Sequence, residues 1–372
     1  MKANMKIGEI WGIPLYIHYS WLLIFILITW SLGVGYFPQE YPQLNPSMNI
    51  IIGAVTSLLF FGSVLLHELG HSWVALRNQI PVRSITLFIF GGIAQIEEEP
   101  HTPGADFWIA IAGPLTSLGL SGVFGLFWLL DQHIPYLAAP SSYLMRINAV
   151  LALFNLIPGF PLDGGRVLRA IVWKIKQDKY QATQIASGIG QFVAFGFIAL
   201  GILQVFQNNL FNGLWMVFIG WFLEQAATST QAETNLQLAL KNVTVGQVMQ
   251  REHPQISALL TLRQVVDDYV LNGGRSYFCI TEPEGKLQGC LTLQDISKIP
   301  QQQWQYTSVK SVAVPLERMI TVSPHTQLLT ALHLMDRAGI SRVPVVENGQ
   351  IVGILSREDV LHFIRIKTEL GI

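Results

Sequence analysis

The sequence predicts a polytopic α-helical membrane protein with about six transmembrane helices, followed by a smaller soluble α/β domain. Its composition is the first observation: 51% of the 372 residues are hydrophobic and 13% are charged, whereas soluble domains average about 25% charged residues. The mean hydropathy is +0.40. The second observation is the distribution, because long apolar stretches fill the N-terminal two thirds and the remainder has an ordinary soluble composition.

A helix needs roughly 20 mostly apolar residues to cross the hydrocarbon layer. The predicted spans cover residues 17–37, 49–76, 107–130, 143–160, 185–206 and 210–224, the last being short. The N-terminus lacks the small-residue cleavage pattern of a signal peptide, so the first span is expected to be retained.

Positive charges between the spans predict the orientation, because cytoplasmic flanks collect Lys and Arg. Lys2 and Lys6 precede the first span, Arg77 and Arg83 follow the second, and five cationic residues lie between positions 166 and 179 after the fourth. The segments after the first, third and fifth spans contain none. Both termini are therefore expected in the cytosol, with a bacterial-type cell membrane as the expected location. The net charge of -1 argues against a nucleic-acid partner.

The segment between the second and third spans is rich in Ile, Thr and Phe around Gly91-Gly92. Two strand-like runs separated by Gly-Gly predict a β-hairpin. Its apolar character indicates that it packs against the membrane-embedded core. An ordinary cytosolic hairpin is the alternative.

An internal repeat marks the soluble domain, because residues 273–296 recur as residues 338–360. Each copy predicts a helix, two strands joined by a turn, and a second helix. One copy is too small to bury a core alone, so the copies should pack together. The predicted division is a membrane domain at 1–226, a linker at 227–241 and repeats at 242–302 and 303–372. Cys279 and Cys290 are expected to be buried and reduced.

The second span ends in a His-Glu-x-x-His sequence formed by His67, Glu68 and His71. Histidines four residues apart share one helical face and can reach a single metal ion, with the glutamate beside them as a general base. Ionisable residues inside a membrane are costly and usually functional. A metal site explains all three better than the alternative, a polar lining between helices.

Two histidines leave zinc one protein ligand short of the usual three. Asp163 is the candidate, since charge counting places it on the same membrane side as the histidines. Pro158 and Pro161 precede it and break the helix, which would let an unwound stretch aim the carboxylate inward. The alternative is a helix cap or a solvated charge.

With these motifs in hand, the sequence resembles the site-2 protease family of intramembrane zinc metalloproteases, in the branch that carries a C-terminal pair of CBS repeats. The resemblance rests on HELGH at 67–71, FGGIA at 90–94, AGP at 112–114 and NLIPGFPLDGGR at 155–166. It implies one zinc ion per chain, held by His67, His71 and Asp163, with Glu68 as the catalytic base.

Further roles follow from the resemblance with alternatives left open. Asn155 would hydrogen-bond the substrate or its oxyanion, or else join two helices. Gly113, Ser117 and Ser121 would form a small-residue packing face. The substrate would be a membrane protein whose transmembrane helix unwinds locally and adds as a strand to the hairpin. The hairpin residues expected to contact it are Phe90, Gly91 and Gly92.

The repeats resemble tandem CBS domains, which often bind adenine nucleotides. The matching positions are Thr292, Asp295, Ser341, Ser356 and Asp359. The first copy departs from the usual pattern at Phe278-Cys279, which puts one pocket in doubt. The alternatives are that both aspartates cap helices, or that the module sets a homodimer or gates substrate entry without a ligand.

Two other function classes compete with the protease. A CBS-regulated transporter or channel would explain the spans and the soluble module, but not HELGH together with a distant DGG. An inactive zinc-binding scaffold would explain the ligands, but not Glu68, which zinc ligation does not require.

Overall fold

The computed structural model describes residues 5–89, 91–96, 99–252, 255–273, 277–281, 287–315, 318–348 and 350–370. The chain forms two compact units, Met1–Thr234 and Asn235–Ile372. The division falls inside one long helix, so the segment predicted as a linker is helical.

The first unit combines long helices with one small sheet. Its strands are β1 (Met5–Ile10), β2 (Ile13–Ile17), β3 (Val82–Phe88) and β4 (Gly91–Ile96). Its helices are α1 (Ser20–Trp30), α2 (Phe37–Glu40), α3 (Pro46–Arg77), α4 (Pro103–Leu130), α5 (Pro135–Asn155), α6 (Asp163–Lys176), α7 (Lys179–Phe206) and α8 (Leu210–Leu240), with a π-helical turn, Ser31–Tyr36, joining α1 to α2.

Five helical segments of the described chain are long and apolar enough to cross a membrane: Ser20–Glu40, Pro46–Arg77, Pro103–Leu130, Pro135–Asn155 and Lys179–Phe206. They confirm the polytopic helical fold. The sixth predicted span, 210–224, forms the first part of α8 and is not among the five, so a count of six stays a prediction. The fourth predicted span is formed by α5, which ends at Asn155 instead of residue 160. The Pro-containing stretch that follows cannot continue the helix.

The sheet has the order β1-β2-β3-β4, with β2 and β3 parallel and the other pairs antiparallel. The predicted hairpin exists, but Gly91 and Gly92 begin its second strand instead of forming the turn. They pair with Phe88 and Leu87. The sequence reasoning missed β1 and β2 altogether.

The sheet packs against the helices of the first unit instead of standing alone in solvent. Ile85 of β3 is fully buried in an apolar cluster with Leu69 and Ala75 of α3 and Ile109 of α4. This packing supports the predicted placement of the hairpin against the membrane unit's core. Because β3 lies between β2 and β4, only β4 of this hairpin presents a free edge.

The second unit holds two sheets. Its strands are β5 (Gln255–Ser257), β6 (Tyr277–Thr281), β7 (Leu287–Thr292), β8 (Val314–Pro315), β9 (Arg342–Glu347) and β10 (Gln350–Ser356). Its helices are α9 (Val245–Val248), α10 (Leu262–Gln264), α11 (Leu293–Ser297), α12 (Val309–Val312), α13 (Leu328–Ala338) and α14 (Arg357–Leu370), with a π-helical turn, Val265–Leu271, after α10 and a 3-10 turn, Gln301–Gln303, after α11.

Strand pairing crosses the predicted boundary, because each repeat contacts a segment that the sequence assigns to the other. Gln250 bridges to Ile354 of β10, while β8 pairs with β7. The predicted boundary between residues 302 and 303 follows chain order and stays a prediction. Cys279 and Cys290 face each other across β6 and β7, buried and unbonded as predicted, with their sulfur atoms 4.0 Å apart.

Candidate metal centre

Three side chains from two helices converge at one point inside the first unit. His67 and His71 lie one turn apart on α3, and both are buried. Asp163 is the first residue of α6, directly after the irregular stretch at residues 156–162. The chain is therefore irregular directly before Asp163, as the sequence predicted, although the preceding helix ends at Asn155 and not at residue 160. The next helix begins with the carboxylate at the histidines.

The three ligand atoms form a nearly equilateral triangle. Nε2 of His67 lies 3.2 Å from Oδ2 of Asp163 and 3.2 Å from Nε2 of His71, and the latter lies 3.3 Å from Oδ2 of Asp163. Four-coordinate zinc with bonds of about 2.0–2.1 Å places its ligand atoms about 3.3–3.4 Å apart. The spacing and the two-nitrogen, one-oxygen donor set both fit zinc.

The other ring nitrogens are held by groups of α4. Nδ1 of His71 lies 2.6 Å from the carbonyl oxygen of Ile109, and Nδ1 of His67 lies 2.9 Å from Oγ of Ser117. A carbonyl oxygen only accepts, so Nδ1 of His71 carries the proton and Nε2 presents its lone pair. Such outer partners fix the tautomer and the ring orientation that a metal needs.

Gly113 of α4 leaves the space in which the ligand atoms meet. A Cβ atom at this position would lie 2.2 Å from Nε2 of His71 and 2.6 Å from Nε2 of His67. A side chain here would collide with both nitrogens. The predicted packing face of Gly113, Ser117 and Ser121 therefore has a second use, since its first two members border the metal centre, whereas Ser121 donates to the carbonyl of Met145.

Glu68 faces the free edge of the sheet. Its carboxylate lies beside the backbone of Ala94 on β4. A Cβ atom at Gly92 would lie 2.5 Å from Cγ of Glu68. The second glycine of the Gly91-Gly92 pair thus lets the strand approach the predicted base closely.

A cavity of 840 Å³ joins these groups. Its lining includes the two histidines, Glu68, Asp163, Gly91, Gly92 and Asn155, together with apolar side chains of α1, α3, α5 and α8. Asn155 donates from Nδ2 to the carbonyl of Leu151 in its own helix, and its role stays a prediction. Phe90 lies outside the described residues.

A buried ion cluster anchors the helix that begins with Asp163. Asp106 of α4 is fully buried, and both its oxygens accept hydrogen bonds of 2.8 Å from Arg169 of α6. Arg166 adds a contact of 3.4 Å. The sequence reasoning missed Asp106 and counted both arginines only as topology signals. A carboxylate at the start of an apolar span was the available signal.

Four of the five predicted nucleotide residues form two pairs that cap helices. Oδ2 of Asp295 accepts from Oγ1 of Thr292, and Oδ2 of Asp359 accepts from Oγ of Ser356. Both aspartates therefore cap helices, which is the alternative to a role in nucleotide binding. Each cap uses one carboxylate oxygen of the aspartate and leaves the other outside the cap. Ser341 is exposed, and its carbonyl accepts from the N–H of Arg357.

A separate cavity of 370 Å³ lies beside Asp295. Lys298 and Arg318 line it together with apolar side chains. Partial burial raises the pKa of Asp295, but hydrogen bonds from Lys298 and Thr292 lower it by more. The pKa of Asp295 therefore lies below its ordinary value. The carboxylate is therefore ionised at neutral pH.

Comparison with known proteins decides the family. The chain is 37% identical over 369 residues to a Synechocystis sp. protein provisionally named a zinc metalloprotease, covering 97% of this chain and 95% of that one. It is 30% identical to a zinc metalloprotease of Methanocaldococcus jannaschii, covering 100% and 99%. The profile of Peptidase family M50 matches residues 55–140 and 132–200. The chain belongs to Peptidase family M50.

This M50 protease also carries a CBS domain, whose profile matches residues 309–366. A solved site-2 protease of Methanocaldococcus jannaschii is 31% identical and covers 61% of this chain and 94% of that one, with a TM-score of 0.43. Family membership makes the protein an integral membrane zinc metalloprotease that acts on membrane-protein substrates. Family membership does not favour the alternative functions, which are a transporter, a channel and an inactive zinc-binding scaffold.

Proposed function

We propose that His67, His71 and Asp163 hold the single zinc ion and that Glu68 is the proton carrier of peptide hydrolysis. The observation that carries the proposal is the 3.2–3.3 Å triangle of ligand atoms with Glu68 in the same cavity. When bound, zinc supplies Lewis acidity toward the scissile carbonyl and the attacking water.

Glu68 performs the remaining proton transfers. Its carboxylate takes a proton from the attacking water as the water oxygen bonds to the carbonyl carbon. It then delivers that proton to the amine nitrogen as the C–N bond breaks. Among the described residues that line the cavity, Glu68 is the only carboxylate apart from the proposed zinc ligand Asp163, which supports the use of one carboxylate for both steps.

Metal analysis of ligand variants tests the site. The variants His67→Ala, His71→Ala and Asp163→Ala should each lose the zinc that the purified wild-type protein retains. His133→Ala is the matched control, because His133 is exposed in the loop before α5. Full zinc retention in the three ligand variants would contradict the assignment.

The substrate segment is proposed to bind β4 as an added strand. The carbonyl of Leu87 on β3 accepts from the N–H of His18, so Leu87 and its partner Gly92 form a non-hydrogen-bonded pair and the N–H of Gly92 faces the free edge of β4. Strand amides alternate in direction, so the N–H groups of Ala94 and Ile96 face the same edge. They would satisfy carbonyl groups that a locally unwound transmembrane helix exposes. The proposal keeps two of the three hairpin residues expected from the sequence, because Gly91 and Gly92 belong to β4.

Chemically modified substrates test strand addition. Synthetic single-span peptides carrying one N-methyl group at successive positions should be cleaved poorly at every second position near the scissile bond. Peptides methylated at the intervening positions serve as controls, because those N–H groups would face away from β4. A loss that does not alternate would contradict the added strand.

An adenine nucleotide is proposed to bind the CBS module at the 370 Å³ cavity. The ionised Asp295 can accept ribose hydroxyl groups, while Lys298 and Arg318 can pair with phosphates. The proposed ligand lies beside the first repeat, where the Phe278-Cys279 departure had made a pocket doubtful. Oδ1 of each aspartate already accepts a hydrogen bond, from Lys298 in Asp295 and from Gln250 in Asp359, so the preference for Asp295 rests on the cavity that it lines.

Calorimetric titration of the full chain with ATP tests this site. Asp295→Ala should abolish binding, and Asp359→Ala should leave it intact. Binding that depends on Asp359 alone would move the site to the second repeat.

The same proposal includes a cytosolic location for both termini in a bacterial-type cell membrane and a homodimer formed through the CBS module. Reagents that label only one membrane face and light scattering of the purified protein test these two points.

A further inference from the structure

Arg166 lines the same cavity as the candidate metal ligands. It is one helical turn after Asp163 on α6, so both side chains lie on the same face of the helix. Among the described residues that line the 840 Å³ cavity, it supplies the only Lys or Arg side chain. Its side chain is 21% exposed, compared with 9% for Arg169.

The buried carboxylate beside it is already satisfied. Asp106 receives two hydrogen bonds of 2.8 Å from Arg169, and Arg169 also lies over the ring of Phe160 at 5.3 Å. Arg166 reaches Oδ1 of Asp106 only at 3.4 Å. Adding a second guanidinium to a paired carboxylate in a buried site brings a desolvation cost and little extra attraction.

Asp106, Arg166 and Arg169 together carry one more positive charge than negative charge, and Arg166 is the member that lines the cavity. A guanidinium has five N–H donors, and among the described residues the side chain of Arg166 uses one of them, in its contact with Asp106. The cavity that Arg166 lines is largely apolar, and an electrostatic contact in such a space is stronger than in water.

Peptide hydrolysis places negative charge on the carbonyl oxygen of the scissile bond as the attacking water adds. A preorganised donor aimed at that oxygen lowers the barrier without strengthening substrate binding in the ground state. We propose that Arg166 is a further catalytic residue, which donates to the scissile carbonyl oxygen and stabilises its charge in the transition state. Asp106 and Arg169 are positioning residues that hold Arg166 and the start of α6. This inference rests on the proposed zinc protease function.

The test uses the full-length purified protein and a synthetic single-span reporter peptide. Arg166→Gln should lower kcat about 100-fold to 1000-fold, the loss typical of one oxyanion donor, with KM, zinc content and melting temperature unchanged. Arg166→Lys should retain intermediate activity, because it keeps the charge but loses the planar fork. Arg83→Gln, the same change at an exposed position of β3, should match the wild type.

A binding measurement separates this role from a merely structural one. A phosphonamidate analogue of the reporter carries the negative charge of the transition state, whereas the unmodified peptide does not. Arg166→Gln should weaken the phosphonamidate by the same factor as kcat/KM, and should leave binding of the unmodified peptide unchanged when measured in the Glu68→Gln background.

Each other outcome counts against a distinct claim. A kcat within threefold of the wild type, an unchanged phosphonamidate affinity, or a loss that follows zinc release would overturn the role of Arg166. Wild-type protein that retains zinc but cleaves no reporter would count against the proposed protease function instead.

Discussion

Oγ of Ser117 lies 2.9 Å from Nδ1 of His67, although fifty residues separate them in the chain. The serine belongs to α4 and the histidine to α3, so the packing of these helices fixes the orientation of the metal ligand. A hydrogen bond at Nδ1 leaves Nε2 free to bind zinc. The metal centre thus depends on α4, which contributes no ligand.

Ser117→Ala should weaken zinc binding about 10-fold to 100-fold, the usual effect of losing an outer hydrogen bond to a metal-bound histidine. Competition with a zinc chelator measures the change. Ser121→Ala is the matched control on the same helix, since Oγ of Ser121 donates to the carbonyl of Met145 and not to a ligand. Equal zinc affinities in the two variants would contradict the role of Ser117.

Gly113→Ala should eliminate zinc binding while the protein still folds. The added methyl group would lie 2.2 Å from Nε2 of His71, where the ligand atoms converge. Gly119→Ala provides the control, because a Cβ atom there meets nothing within 4 Å on the same helix. Zinc content and melting temperature should be measured together. Stoichiometric zinc in Gly113→Ala would show that the ligands meet elsewhere.

Gly92→Ala should reduce cleavage strongly and leave zinc in place. Its methyl group would lie 2.5 Å from Cγ of Glu68, so the carboxylate must move while His67 and His71 stay. Gly8→Ala in the same sheet has nothing within 4 Å of the added atom and should behave like the wild type. Undiminished turnover by Gly92→Ala would disprove the close approach of β4 to the base.

Much of this site could be predicted from the sequence because its signals are local. The spacing of His67 and His71 places both on one face of any helix, and an apolar run predicts that helix. Asp163 required one further step, in which charge counting placed it on the same membrane side. Proline residues before it indicated where the helix would stop.

The parts that escaped prediction depend on distant pairings. Asp106 and Arg169 are 63 residues apart, and each alone resembles an ordinary flanking charge. Ser117 fitted a packing motif equally well. The two N-terminal strands pair with each other, and β2 also pairs in parallel with β3, about 70 residues later. That pairing moved β3 to the interior of the sheet and left β4 as the edge facing Glu68.

The most direct test of the central claim compares wild-type protein with Glu68→Gln. Both proteins are purified in detergent, analysed for zinc and incubated with the same single-span reporter. The account predicts equal zinc content and cleavage by the wild type alone, because glutamine preserves the shape of the side chain but cannot accept the proton. Cleavage by Glu68→Gln at the wild-type rate, or the absence of zinc from both proteins, would contradict it.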